Sequence, residues 1–271
     1  MERCRRPQPG DYAWGELDQI VDDVAAKKFK LLVNIVQAPA FYNETNGLPG
    51  DPVAMGNLLD AMVKRYGKKI AAEIWNEQNL AHENGGRVTG PTPAIMSTSW
   101  SRRTTGSRRS TRSIMVLAGA PHRWRERPGD CGVGRELLSR DVSLQRWDHQ
   151  EPLRRAGRPP RRFGHPPETM FPDNPSQADG WTTDPTFYFR HVENVRNFMV
   201  QEGVGDHQIW ITEFGWATQN DTPGYEFGNQ VSFEQQAAYI TGAFKLAYEK
   251  HRYEDGSPWL GNMFLWNMTS R

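Results

Sequence analysis

Two glutamates, each closing an apolar run, carry the chemistry this sequence offers. The first is Glu77, in "AAEIWNEQNL" (residues 71–80), where a tryptophan is followed by an amide, an acid and two further amides. The second is Glu213, in "QIWITEFGWATQN" (residues 208–220). Strands usually stop at turn-formers, not at a cluster able to donate, accept and exchange protons. Two carboxyl groups on either side of one acetal carbon can open it by double displacement. One attacks as the carboxylate; the other protonates the departing oxygen and later deprotonates water, provided the two lie about 5–5.5 Å apart. Groups that close cannot both ionise freely, so the acid's pKa rises while the nucleophile stays charged. A single strand-terminal glutamate reads as a solvated charge. Two of them, each in a frame of aromatics and amides, read as a pair.

Uniting residues so far apart in sequence requires a fold. In "WGELDQIVDDVAAKKF" Leu17, Ile20, Val21 and Val24 share a helical face, and "KLLVNIV" (30–36) follows as a short apolar strand. "DPVAMGNLLDAMVKRYG" is a second amphipathic helix, with Leu58, Leu59, Met62, Val63 and Tyr66 on one side, and leads to the strand "IAAEIW". The rhythm resumes after residue 167. Tyr188, Val192, Val195 and Met199 fall at helical spacing, the helix stops at Gly203, and "IWITEF" (209–214) is a strand. Ser232 and Gln235 form a capping box that opens "SFEQQAAYITGAFKLAYEK", and "GNMFLWNM" (261–268) is one more strand. Strands alternating with helices through short connections specify a parallel α/β sheet. A parallel barrel gathers the C-terminal ends of its strands on one face, which is where both glutamates fall.

At "IWNEQN" and "WITEFGW" the sequence resembles the retaining glycoside hydrolases of clan A, the group that includes cellulases and β-xylosidases. The resemblance implies a (β/α)8 TIM barrel whose fourth strand ends in an Asn-Glu pair and whose seventh ends in a second glutamate. By that correspondence Glu77 is the general acid/base and Glu213 the nucleophile. Asn76 holds the sugar hydroxyl next to the anomeric carbon, with a turn-capping amide as the plainer role. Trp266 in "FLWNM" matches the aromatic floor of the sugar site at the end of the eighth strand. Gln37, Asn34 and Trp216 are further candidates for the cleft wall; core packing is the alternative for Trp216, Trp75 and Trp266. The implied reaction is hydrolysis of O-glycosidic bonds in a polysaccharide or oligosaccharide by a monomer, with a carbohydrate substrate and no cofactor.

The resemblance covers residues 11–92, 167–271 and an island at 113–121, read as one barrel domain over 11–271. The third (30–36), fourth (70–75), fifth (113–119), seventh (208–213) and eighth (262–267) strands can be placed. The first two would precede residue 11, the sixth falls in an anomalous stretch, and no helix follows the eighth. The barrel is therefore incomplete as written. An open barrel bares unpaired strand edges, so aggregation on expression is expected of these 271 residues, and activity is not.

The anomalous stretch is Met96–Arg162, with 16 arginines and no lysine. Apolar periodicity survives there only in "SIMVLAGAP" (113–121). Arginine-rich, lysine-free text is what GC-rich coding DNA gives when read out of frame, so a frameshift is expected, and sequencing the gene across codons 90–170 decides it. A basic nucleic-acid-binding arm is one rival, but only three aromatics, Trp100, Trp124 and Trp147, stand among the arginines. A non-catalytic sugar-binding relative is the other. The net charge of +1 favours no partner, and the two cysteines, Cys4 and Cys131, are too far apart to mark a redox compartment. No apolar run approaches the roughly 20 residues that span a bilayer. The start, "MERCRRPQPGDYAW", has no apolar signal core, so location stays open although an extracellular setting suits the chemistry. His165 in "FGHPPETMF" has no partners at metal-binding spacing, and no metal is expected. Phosphate loops, serine elbows and zinc signatures are absent from the sequence.

Overall fold

Helix α1 (Gly15–Ala26) carries Glu16 and Asp18 in its first turn, where the helix dipole favours negative charge. It closes in a Schellman motif: Phe29 N–H donates to Val24 O (3.1 Å) and Lys28 N–H to Ala25 O (2.9 Å). Lys28 takes the left-handed backbone (φ 62°) that this cap demands and usually assigns to glycine. The chain then enters strand β1 (Leu31–Ile35), helix α2 (Pro52–Tyr66) and strand β2 (Ile70–Ile74). Asp51 caps α2 by accepting from Val53 N–H at 2.8 Å, with Pro52 in the first turn, where its missing N–H does no harm.

The computed structural model describes residues 8–42, 44–76, 85–86, 115–118, 142–143, 165–173, 188–201, 203–219, 229 and 231–266. The chain divides into two compact units, Met1–His122 with Glu126–Val142, and Arg123–Arg125 with Ser143–Arg271.

In the first unit β1 and β2 run parallel in unbroken register from Leu31 opposite Ile70 to Ile35 opposite Ile74. Strand β3 (Met115–Ala118), the island inside the arginine-rich stretch, pairs parallel with β2, Ala71 opposite Met115. The short β4 (Val142–Ser143) continues the sheet through Ala118 opposite Val142. One core holds the unit together. Leu59, Met62, Val63 and Tyr66 of α2 meet Ile70, Ala72 and Ile74 of β2, as the spacing of α2 requires. For α1 the expected stripe is too wide: Val21 is buried, but Ile20 is 43% exposed. Polar contacts fix α1 on α2 instead. Asp18 takes a two-pronged hydrogen bond from Arg65 and a third from Tyr66 Oη (2.9 Å), while Lys69 reaches Asp22 at 3.0 Å.

In the second unit α3 (His191–Gln201) buries Val192, Val195 and Met199, and Tyr188 just ahead of it is also enclosed. Here the Schellman cap has its glycine: Val204 N–H donates to Met199 O, Gly203 N–H to Val200 O, and Gly203 has φ 77°. Strand β5 (Ile209–Phe214) pairs parallel with β6 (Leu260–Leu265). Between them runs α4 (Phe233–Lys250), opened by the reciprocal Ser232–Gln235 capping box. The last strand begins one residue earlier than "GNMFLWNM" suggests and ends at Leu265.

Candidate active site

The top of β2 is an elbow, not a turn. Trp75 takes φ 68°, its N–H donates to Ile35 O (2.9 Å), and its ring is buried with Ile74 in the core of the first unit. The left-handed residue breaks the strand's alternation, and Asn76 emerges half-buried directly after it. Glu77 lies outside the described residues. Gln37, two residues beyond β1, is exposed and also left-handed (φ 57°).

Below that elbow Asn34, a candidate for the cleft wall, is paired with Glu73, which the sequence reading missed. Leu31, Val33 and Ile35 of β1, like Ile70, Ala72 and Ile74 of β2, pack into the core shared with the helices. Alternation sends Asn34 and its register partner Glu73 to the opposite face of the sheet. Asn34 Nδ2 donates to Glu73 Oε2 at 3.0 Å; Glu73 is only 4% exposed, whereas Asn34 is open. A charge inside the apolar run "IAAEIW" was the available signal.

In the second unit Glu213 occupies the last turn of pleat of β5. Burial falls on Ile209, Ile211 and Phe214, so the two-residue alternation slips, and the pairing with β6 shifts register between Ile211 and Phe214. The slip places two half-open residues, Thr212 and Glu213, in succession, the re-aiming that bulges perform near functional sites. One carboxylate oxygen of Glu213 is fully enclosed. Beside it Trp266 N–H donates to Phe214 O at 2.8 Å, and the Trp266 side chain is 41% exposed. Gly215 makes that approach feasible, because a Cβ there would lie 2.7 Å from Trp266 O.

Trp216 is buried (8% exposed) among Phe189, Phe214 and Tyr239. Its indole N–H donates to His165 O at 3.0 Å and its carbonyl accepts from Gln236 Nε2, which ties the segment after Glu213 to α4. His165 is buried and stacked on Tyr188, and burial pushes its imidazole pKa below the usual value. Among the described residues no group of three His, Cys, Asp or Glu could hold a metal, and no helix is long and apolar enough to cross a membrane.

Glu193 of α3 forms the strongest charge cluster here. Arg190 grips both its oxygens at 2.8 Å, and His251 Nε2 lies 3.1 Å from Oε1. Burial alone would raise Glu193, but the hydrogen bonds from His251 and Arg190 win and bring its pKa to about 2.

Helices alternating with short parallel strands, and polar groups at the strands' C-terminal ends, define the class: α/β proteins built on parallel strands. No family model and no curated protein matches the chain. Solved structures do. A glucosidase from Croceicoccus marinus superposes with a TM-score of 0.57 at 11% identity, over 95% of this chain and 46% of that one. A monomeric β-xylosidase from Caulobacter crescentus gives 0.54 at 16%, over 94% and 49%. Thermotoga maritima Cel5A in complex with cellobiose gives 0.52 at 11%, over 98% and 75%. The likeness is one of fold, and the chain spans about half the length of the first two proteins.

Proposed function

We propose that residues 11–271 derive from a single (β/α)8 barrel domain whose parent enzyme hydrolyses O-glycosidic bonds with retention. Glu213 is the nucleophile and Glu77 the general acid/base. Asn76 holds the neighbouring sugar hydroxyl, Trp266 is the stacking floor, Gln37 borders the cleft, and Trp216 supports it from behind. The substrate is an oligosaccharide or polysaccharide, the enzyme acts as a monomer, and two carboxyls suffice without a cofactor. The observation that carries the reading is the top of β5, where a slipped strand presents Glu213 beside a half-exposed Trp266.

The mechanism follows from the groups. Glu213 attacks the anomeric carbon while the Glu77 proton passes to the leaving oxygen; Glu77 then takes a proton from the water that releases the sugar. The test is turnover of aryl glycosides by a restored full-length enzyme, with NMR of the first-formed anomer reporting retention. Glu213→Ala should lower kcat by on the order of 10⁴ or more. Glu77→Ala should lower it roughly 10²–10⁴-fold on poor leaving groups. Azide should restore Glu77→Ala on a substrate with a good leaving group, as a glycosyl azide. Wild-type turnover by Glu213→Ala would sink the assignment.

A further inference from the structure

The main-chain carbonyls of a strand find ladder donors only as far as its neighbour accompanies it. At the end of β5, Phe214 O still accepts from Trp266 N–H at 2.8 Å; beyond it the chain has left the strand. Trp216 is nevertheless buried, so its carbonyl needs a donor. A helix side chain supplies one: Gln236 Nε2, in the first turn of α4, donates to Trp216 O. Gln236 is itself fixed. Its N–H donates to Ser232 O at 2.8 Å, and the reciprocal Ser232–Gln235 box holds the same turn. Just before that cap, Val231 O accepts from Thr218 Oγ1. The chain after Glu213 is moored to the start of α4 at two places, while the Trp216 indole is moored to His165 O.

Resting on the hydrolase reading above, we propose that Gln236 is a positioning residue for Glu213, acting through the Trp216 peptide. The need arises from the slip in β5. Glu213 falls between Ile211, opposite Met263, and Phe214, opposite Leu265, where the register shifts. Regular pairing does not set its aim, which follows from how the chain is held on either side. Below, the buried Ile211 holds it. Above, the bond at Phe214 O is a pivot, and Gly215, lacking a Cβ, is the residue at which the backbone turns most readily. The indole bond of Trp216 restrains a side chain, whose torsions still let the main chain tilt. The Gln236 bond acts on the peptide plane itself and stops the turn at Gly215.

The test is kinetic and uses the restored full-length enzyme, with p-nitrophenyl β-glucoside, β-xyloside and β-cellobioside as probes. Gln236→Met keeps the length of the side chain and removes the donor. It should lower kcat about 10- to 100-fold, the cost of a nucleophile out of place, with KM within about twofold. Gln236→Lys still offers an N–H to Trp216 O and should stay within about threefold of the wild-type kcat. Should Gln236→Met fail to fold, Gln236→Asn, one methylene shorter, supplies the same loss. A purely structural glutamine would lower the Tm of Gln236→Met and leave kcat unchanged well below that temperature, which overturns the proposal. Equal losses in Gln236→Met and Gln236→Lys overturn it as well, since the donor would then be irrelevant. Wild-type turnover by Glu213→Ala defeats the hydrolase reading and this inference with it. An inactive Glu213→Ala beside a Gln236→Met at wild-type rates defeats this inference alone.

Discussion

Gly215 shows how one missing side chain arranges a site. Its Cα faces the carbonyl of Trp266, and the obstacle to any larger residue is backbone, which cannot swing aside. Gly215→Ala should therefore push the end of β6 from β5 and cost about 1–3 kcal/mol, read as a lower Tm. Weaker sugar binding should accompany it, because Trp266 moves. An unchanged Tm would overturn the close approach of Gly215 to Trp266. At this scale strand ends were legible: Glu213 lies near the end of β5 and Trp266 directly follows β6. Asn34 and Glu73 were harder, since one reads as a polar break in a strand and the other as an ordinary charge. Their meaning comes from register, a relation between strands that neither strand states.

The two Schellman caps offer an internal comparison at the scale of elements. Both need a left-handed residue; α3 has Gly203 and α1 has Lys28. Lysine in that conformation is strained by Cβ against backbone, so Lys28→Gly should stabilise the first unit by about 1 kcal/mol. Gly203→Ala should destabilise the second by a similar amount, although nothing lies within 4 Å of the added methyl. Urea unfolding of both variants checks the opposite signs. Caps of this kind are partly readable: the Ser232–Gln235 box and the stop at Gly203 follow from residue type alone. The cap at Lys28 was not, because its residue type argues against it and the hydrogen bonds from Lys28 and Phe29 override that. The slip in β5 was equally hidden, since "IWITEF" has the apolar content of a regular strand.

For the molecule as a whole, acidity is the sharpest probe. Glu193 has its folded pKa near 2, against an ordinary value of 4.5. A depressed carboxylate contributes stability above its unfolded pKa and loses it as pH falls toward the folded value. The loss should fall between pH 4.5 and 2, on the order of 2 kcal/mol once solvent screening is allowed for. Glu193→Gln should flatten that part of the stability curve and lower the plateau above it; an identical acid limb in both proteins would assign the transition elsewhere. The α/β class was legible on either side of the arginine-rich stretch, because helical and strand periods alternate there. The arrangement of polar groups was not, because it depends on where strands slip and which face each residue takes. The irregularity of β5 has its own consequence. Its lower half is held by the buried Ile209 and Ile211, while Thr212 and Glu213 are released from that phase. Repacking the base of the strand therefore need not rotate the carboxylate above it, and the reactive end is insulated from drift in the interior.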